Sequence, residues 1–254
     1  MDNGRQDRIL QLLEQKGEIQ LSKLKDLFPE VSVMTLRRDL ISLENKGHAV
    51  RTYGGAVSTS RLAVLKDEED AYTRRAAENV EAKLEIASKA ISLVEHGRSI
   101  YLDAGSTIMC LARMLADETY SIVTSGVNIA LELLKKNKIS VVALGGQLNR
   151  NTLSMSGPNA LALLDSINID LAFMSASGFS NEHGFTVSNP YEGELKRKVV
   201  SKANKVIALV DSGKINKDQA FTYAHLRNID VWVCESPLPK DIEIEAKKYN
   251  VQIL

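Results

Sequence analysis

Val31-Ser32-Val33-Met34-Thr35-Leu36-Arg37-Arg38-Asp39-Leu40-Ile41-Ser42-Leu43-Glu44 is the stretch from which the rest of the chain is understood. Ser32 has the hydroxyl of a good helix N-cap, and Leu36, Leu40 and Leu43 form one apolar stripe on a helix running to about Lys46 and ended by Gly47. With those leucines turned inward at ~100° per residue, the opposite face carries Met34, Thr35, Arg38, Ile41 and Ser42, with Arg37 on the flank. These groups suit a DNA major groove. Arg forks onto guanine O6 and N7, Thr and Met meet a thymine methyl, and a helix N-terminus with Ser32 takes a phosphate.

Two amphipathic segments precede this helix. Arg5 to Lys16 carries Ile9, Leu12 and Leu13 and stops at Gly17; Gln20 to Phe28 carries Leu21, Leu24 and Leu27 and stops at Pro29. After it, Ala49-Val50-Arg51-Thr52-Tyr53-Gly54-Gly55-Ala56-Val57 has the texture of a β-hairpin whose turn the sequence leaves open. Three short helices and a hairpin make the winged helix-turn-helix plan, and Arg51 and Tyr53 on the hairpin are placed to meet the DNA backbone or minor groove. From Val31 to Val57, Arg37, Arg38, Lys46 and Arg51 stand against Asp39 and Glu44, a modest local excess of positive charge. Arg37-Arg38-Asp39 alone would equally suit a solvated helix face; the surrounding string is what turns it toward DNA.

The whole chain gives no such hint. Its 254 residues hold 32 Lys and Arg against 32 Asp and Glu, so affinity for a polyanion has to come from a local patch. The charged N-terminus is unlike a signal peptide, and no apolar run approaches the roughly 18 residues of a membrane span, so a cytoplasmic protein is expected. Cys110 and Cys234 are too isolated for a disulfide framework or metal site, His48, His96, His183 and His225 do not cluster, and no metal or cofactor is expected.

Residues 58–74 read as a linker, with Leu62, Val64 and Leu65 as a docking patch beside the charged run Lys66-Asp67-Glu68-Glu69-Asp70. The spacing of Val80, Leu84, Ala87, Ile91 and Val94 predicts one long amphipathic helix over Thr73 to Glu95. Residues 75–254 then form a second domain. Strands are predicted at Ser99–Leu102, Ser121–Thr124, Ser140–Leu144, Ile169–Met174, Val206–Val210, Asp230–Cys234 and Val251–Leu254. Helices are predicted at Ile108–Ala116, Ile129–Lys136, Glu192–Ala203 and Asp241–Tyr249. That alternation implies an α/β fold with a largely parallel sheet and helices on both faces.

Right-handed crossovers gather the strand-to-helix loops on one edge, where open α/β sheets take ligands. Five loops there are polar or glycine-rich: Asp103-Ala104-Gly105-Ser106-Thr107, Thr124-Ser125-Gly126, Gly145-Gly146-Gln147, Ser175-Ala176-Ser177-Gly178 and Asp211-Ser212-Gly213-Lys214. Each alone is ordinary turn chemistry; their recurrence points to an anion such as a phosphate, with Lys196 or Lys214 neutralising it and Asp103 ordering its loop or accepting sugar hydroxyls. The two glycines at 145 and 146 are too few for a dinucleotide fingerprint.

The string from Val31 to Glu44, with Gly47 and Arg51-Thr52-Tyr53-Gly54-Gly55-Ala56, closely resembles the N-terminal signature of the DeoR family of bacterial transcription regulators. The resemblance continues through Arg75, Asn79 and Lys83, Ile100 to Thr107, Leu144-Gly145-Gly146, Glu192 with Lys196, and Asp211-Ser212-Gly213-Lys214, so it covers nearly the whole chain. Departures are the turn Phe28-Pro29-Glu30-Val31-Ser32, one residue longer than the commoner pattern, and Ser125 where the family commonly has Asn. The resemblance implies a winged helix-turn-helix over 1–57 and an effector domain similar in fold to ribose-5-phosphate isomerase that senses a phosphorylated sugar.

The expected function is a sugar-metabolism regulator, a repressor, acting as a homo-oligomer on operator DNA and not as an enzyme. The rival is a sugar-phosphate isomerase with an accessory DNA-binding domain, using Glu192, Glu194 or Asp103 as base and Lys196 or Lys214 as electrophilic helper.

Overall fold

The computed structural model describes residues 3–52, 54–59 and 72–254. Contacts divide the chain into two compact units, Met1–Glu69 and Asp70–Leu254.

In the first unit, helix α1 (Asn3–Lys16), strand β1 (Glu18–Gln20), α2 (Leu21–Leu27), α3 (Val33–Asn45), β2 (Ala49–Thr52) and β3 (Gly55–Ser58) follow in order. Ile9 and Leu13, Leu24, and Leu36, Leu40 and Leu43 meet in one apolar core with Ile19, Ala49 and Ala56. Each helix stops for a local reason. Gly17 takes φ 77° after α1, Phe28 N–H closes onto Leu24 O before Pro29, and Gly47 takes φ 78° after α3. Ser32 Oγ accepts from Thr35 N–H at 3.1 Å and so caps α3. The expected hairpin is part of a three-stranded antiparallel sheet in the order β1-β3-β2. Gly55 is required there, because a Cβ would lie 1.9 Å from Ile19 O.

The second unit opens with α4 (Tyr72–Ala77), α5 (Val80–Ala90) and a 3₁₀ turn over Ile91–Leu93. The single helix expected from Thr73 to Glu95 is therefore broken, and Asn79 at φ 48° makes the break. The linker expected over 58–74 also differs at its ends: Ser58 belongs to β3, and Tyr72 to Arg74 belong to α4. Its middle, with Leu62, Val64, Leu65 and the charged run, lies outside the described residues.

Beyond these come β4 (Ser99–Leu102), α6 (Ser106–Met114), β5 (Tyr120–Thr124), α7 (Val127–Leu133), β6 (Ile139–Ala143), β7 (Gln147–Asn149), β8 (Ser154–Ser156), α8 (Pro158–Asp165) and β9 (Ile169–Met174). They are followed by β10 (Gly178–Ser180), β11 (Gly184–Val187), α9 (Pro190–Lys202), β12 (Ala203–Leu209), β13 (Phe221–Ala224), β14 (Val231–Val233), α10 (Lys240–Lys248) and β15 (Gln252–Ile253).

Seven strands form a parallel sheet in the order β15-β14-β12-β9-β4-β5-β6. All seven strands expected from the sequence are in it. One face and its helices bury a core from Ile86 and Leu102 through Leu111, Leu133 and Phe173 to Ile207 and Val233. The sequence did not foretell the β7-β8 hairpin, α8, or the small sheet β10-β11-β13, which is pinned by Phe179 and Phe185 against Trp232 at ring separations of 4.6 and 5.0 Å. From β4 the chain builds outward to β5 and β6 on one side, and through β9 to β15 on the other. The direction reverses between β4 and β9, and the crevice beyond their carboxyl ends is where ligands of such sheets sit.

Candidate functional site

In the first unit, α3 presents Met34, Arg37, Arg38 and Ile41 to solvent, Met34 with 62% of its surface exposed. Two apolar side chains left out of a well-filled core, beside two arginines, form a face adapted to something other than water. Thr35 is half-buried and bonded to Ser32 through its hydroxyl.

Ser42 departs from expectation. Its Oγ donates to Gln6 Oε1 at 3.2 Å, so it faces α1 rather than a groove. Helical phase explains this: Ser42 lies on the side of Asp39, which is buried and paired with Arg5 at 2.7 Å. Arg51 also differs, because its guanidinium is held at 2.6 Å by Glu44 on α3, which fixes the wing on the helix and offsets part of the local positive charge. Burial pushes the Glu44 carboxyl up, but the bonds from the Arg51 guanidinium and backbone N–H, with the Arg51 charge, together outweigh it and lower its pKa. Tyr53 lies outside the described residues.

In the second unit the sheet's crevice is a cleft. The N-terminus of α6 contributes Gly105, Ser106 and Thr107; the loop after β9 contributes Ser175, Ala176 and Ser177; the loop after β12 contributes Asp211 and Lys214. Glu192 and Lys196 enter from α9, Arg75 from α4, Lys83 from α5, and Thr152 from the turn before β8. Free space within it for a water-sized group is about 30 Å³.

Of the expected effector residues, the cleft brings together Gly105, Ser106, Thr107, Ser177, Glu192, Lys196, Asp211 and Lys214. The others have structural places instead. Thr124 Oγ1 accepts from Gly126 N–H at 3.0 Å. Ser125 is buried, taking a bond from Tyr101 Oη at 2.8 Å and one from Ala104 N–H at 3.2 Å, so it braces the loop carrying Asp103. Gly145 and Gly146 follow β6 at the far edge of the sheet, at φ 69° and 94°, with Ser156 O in the place of a Cβ on Gly146. Gly178 lacks a side chain because Lys217 O occupies that space.

Asp103 lies beneath the cleft rather than in its wall. It is buried, accepts from Ser175 N–H at 2.9 Å and Ser175 Oγ at 2.8 Å, and pairs with the fully buried Lys196. Lys196 also stands 3.5 Å from Glu192 and donates to Ser175 O at 3.1 Å, the carbonyl that also accepts from Tyr223 Oη. Its expected role as a phosphate neutraliser is thus largely taken by carboxylates already present. Burial, then the nearby Asp103 charge, holds the Tyr101 and Tyr223 hydroxyls well above ordinary phenol values.

Cations that sequence reasoning left off the site supply the balance. Arg75 and Lys83 join Lys196 and Lys214, giving four cations against Glu192, Asp211 and the underlying Asp103. Lys214 is half-exposed and forms no ion pair among the described residues, so it is the lining cation able to swing onto a guest. In the sequence Arg75 and Lys83 stand out only as matches to the family pattern; no periodicity marks them as facing a cleft after β4 and β9. Among the described residues, no group of His, Cys, Asp and Glu is placed to hold a metal, and no helix is long and apolar enough to cross a membrane.

Comparison with known proteins follows the same two units. Residues 5–61 match the family described as DeoR-like helix-turn-helix domain, and residues 78–236 match the DeoR C terminal sensor domain. The chain is 36% identical over 239 residues to the HTH-type transcriptional regulator GolR of Listeria innocua, covering 93% of this chain and 91% of that one. It is 30% identical over 253 residues to the putative aga operon transcriptional repressor of Escherichia coli O157:H7, covering 98% and 92%. Among solved structures, ribose 5-phosphate isomerase A from Methanocaldococcus jannaschii aligns over 54% of this chain and 55% of its own, at 21% identity and a TM-score of 0.41.

Proposed function

The chain belongs to the DeoR family of transcription regulators, and from that premise we propose that it represses a carbohydrate-catabolic operon and that a phosphorylated sugar in the second unit's cleft sets its grip on operator DNA. Its relatives are regulators rather than enzymes.

The observation that carries the proposal is the outward face of α3. It is a capped thirteen-residue helix, held by its leucines against α1 and α2, with Met34, Arg37, Arg38 and Ile41 left to solvent. Arg38 and Arg37 offer forked donors for guanine edges, Met34 and Ile41 offer apolar contact for thymine methyls, and Thr35 with the cap at Ser32 offers hydroxyls at a helix N-terminus that suit a backbone phosphate. One such unit makes few contacts, so a symmetric oligomer placing two copies on a palindromic site is the expected working form, in the compartment that holds the DNA.

The cleft supports a phosphorylated ligand through its chemistry. The start of α6 lies in the cleft, where the free amides of a helix N-terminus suit an anion; Arg75, Lys83 and Lys214 suit a phosphate's charge, and Ser106, Ser177, Glu192 and Asp211 suit sugar hydroxyls. A ligand that binds the DNA-competent geometry less well than a DNA-incompetent one shifts the oligomer away from the operator, and repression ends.

The test is selection of preferred sequences from a random DNA pool by the full chain, followed by titration of the selected site in the presence of pentose and hexose phosphates. Sequence preference with affinity lowered by one of those phosphates is the expected result. Binding that ignores sequence, or turnover of a sugar phosphate with no effect on DNA, would overturn it. Affinity for DNA should also fall steeply with salt, as phosphate contacts release counterions.

A further inference from the structure

Helix α4 is six residues long and none of them is buried. A helix that short has no stability of its own, and this one has little apolar burial to replace it. It is held at its C-terminal end by polar contacts. Lys83 Nζ on α5 donates to the carbonyl oxygens of Arg75 and Glu78, where a helix ends and its carbonyls favour a cation. Arg75 Nη2 donates to Asn151 O at 3.0 Å, and Asn79, in the turn after α4, donates from Nδ2 to Asp211 Oδ1 at 2.9 Å.

Lys83 is the centre of this arrangement. The residue is 4% exposed, and two of the three ammonium protons go to neutral carbonyls, which do not repay the burial of a full charge. Burial lowers its pKa, Asp211 opposes that and Lys214 adds to it. Lys83 and Arg75 both line the cleft. An anion there supplies the third ammonium proton with a counter-charge and also engages a side chain of α4.

We propose that anion binding in the cleft and the seating of α4 are one coupled event, with Lys83 as the group they share. This rests on the cleft being the effector site and adds what the effector does there. It completes the bonding of Lys83, which fastens the end of α4, and by reciprocity a seated α4 raises affinity for the anion. Because α4 is the first described element after the DNA-reading unit in sequence, its seating is the earliest point at which the cleft can act on the chain leading back to that unit.

The experiment is amide hydrogen exchange on the full chain at matched ionic strength, with inorganic phosphate, glucose 6-phosphate, and glucose as the uncharged control; thermal unfolding is measured alongside. If α4 opens only after the anion leaves, exchange at residues 72–79 slows about tenfold at an anion concentration about ten times its dissociation constant. Slowing by both phosphates identifies the anion as sufficient, and slowing by glucose 6-phosphate alone shows that the sugar is needed too; either supports the coupling. Lys83→Met should make these amides exchange rapidly with or without anion, and Lys83→Arg should restore protection. The wild-type comparison decides even if Lys83→Met impairs folding. If phosphates raise the unfolding temperature while exchange at 72–79 stays unchanged or quickens, the coupling is wrong and the effector site stands. If neither phosphate nor glucose 6-phosphate changes unfolding or exchange, both fall.

Discussion

Lys196 and Asp103, 93 positions apart in the chain, form a buried ion pair beneath the cleft. The pair ties α9 to the loop after β4, and Ser175 completes it by donating to the same carboxylate oxygen from its backbone and its hydroxyl. Removing one partner of such a pair leaves a charge in a site that cannot solvate it, at a cost of about 3–5 kcal/mol. Lys196→Met is therefore expected to lower the second unit's stability by that order in urea unfolding. The double variant Asp103→Asn with Lys196→Met should recover part of the loss, since the stranded carboxylate is gone. If the two substitutions simply add, the pair is not coupled as the geometry says.

On α3, the contrast between Arg38 and Ser42 gives a second prediction. Arg38 is exposed on the outer face, while Ser42 is bonded to Gln6 of α1. Arg38→Ala should weaken binding to a selected DNA site by about 1–3 kcal/mol, with most of the loss at one base position, as removal of a bidentate base contact does. Ser42→Ala should leave base preference intact. Fluorescence anisotropy over single-base variants of the site measures both, and a loss for Arg38→Ala that is equal at every sequence would reassign it to a phosphate.

How far these sites were legible in the sequence follows from the range of the interactions involved. Leu36, Leu40 and Leu43 repeat within one helix, so periodicity alone located α3 and most of its outward face. The inner sheet strands β4, β5, β9 and β14 are largely buried, and their apolar runs are local as well. Strand order is not local. Nothing in the loops at Thr124-Ser125 or Gly145-Gly146 distinguishes them from those at Asp103 and Ser175, yet only the latter pair flanks the reversal between β4 and β9. Pairing of charges is hidden for the same reason: nothing near Lys196 in sequence shows that Asp103, 93 positions away, lies against it. Asn79 at φ 48° also broke a helix whose apolar spacing ran on undisturbed. The small sheet β10-β11-β13 has strands of three and four residues, too short for alternation to register.

Gly55 supplies a prediction about the wing. Ile19 O lies 1.9 Å from where its Cβ would be, with Gln20 Cα at 2.8 Å, and both belong to the strand paired with β3. Backbone on both sides has little room to yield, so Gly55→Ala should push β1 away from β3. A loss of at least about 1–3 kcal/mol is expected, the usual cost of overpacking, together with loss of DNA binding. Gly54→Ala, with nothing within 4 Å, is the control at the neighbouring position. Equal stability of the two variants in thermal unfolding would show that β1 is not fixed against the wing.

Cys234 is expected to be chemically inert. Its thiol is buried at the end of β14, and burial, aided by the adjacent Glu235 at 3.2 Å, pushes its pKa up to about 11. At pH 8 the thiolate fraction is then only about one in a thousand, and thiolate is the form that alkylates. The folded state favours the neutral thiol, so this contribution to stability is full below the unfolded thiol's pKa and is lost as pH rises through about 11. Iodoacetamide should modify Cys234 at pH 8 only after unfolding, a result read by peptide mass spectrometry. Rapid labelling of the native chain would contradict this burial.

Ser106 gives the most direct test of where the phosphate sits. It is the first residue of α6, half-exposed in the cleft. A carboxylate at that position suits the helix itself, since negative charge near an N-terminus stabilises by about 0.3–1 kcal/mol. Ser106→Asp should therefore fold at least as well as the parent and still bind DNA. The same charge repels an incoming phosphate. At about 4 Å the repulsion is about 1 kcal/mol in water and rises to about 4 kcal/mol at the effective dielectric near a protein surface, so affinity should fall by at least about fivefold. Thermal-shift titration with a sugar phosphate that stabilises the parent chain measures this. An unchanged midpoint in Ser106→Asp would move the phosphate away from α6 and toward Lys214.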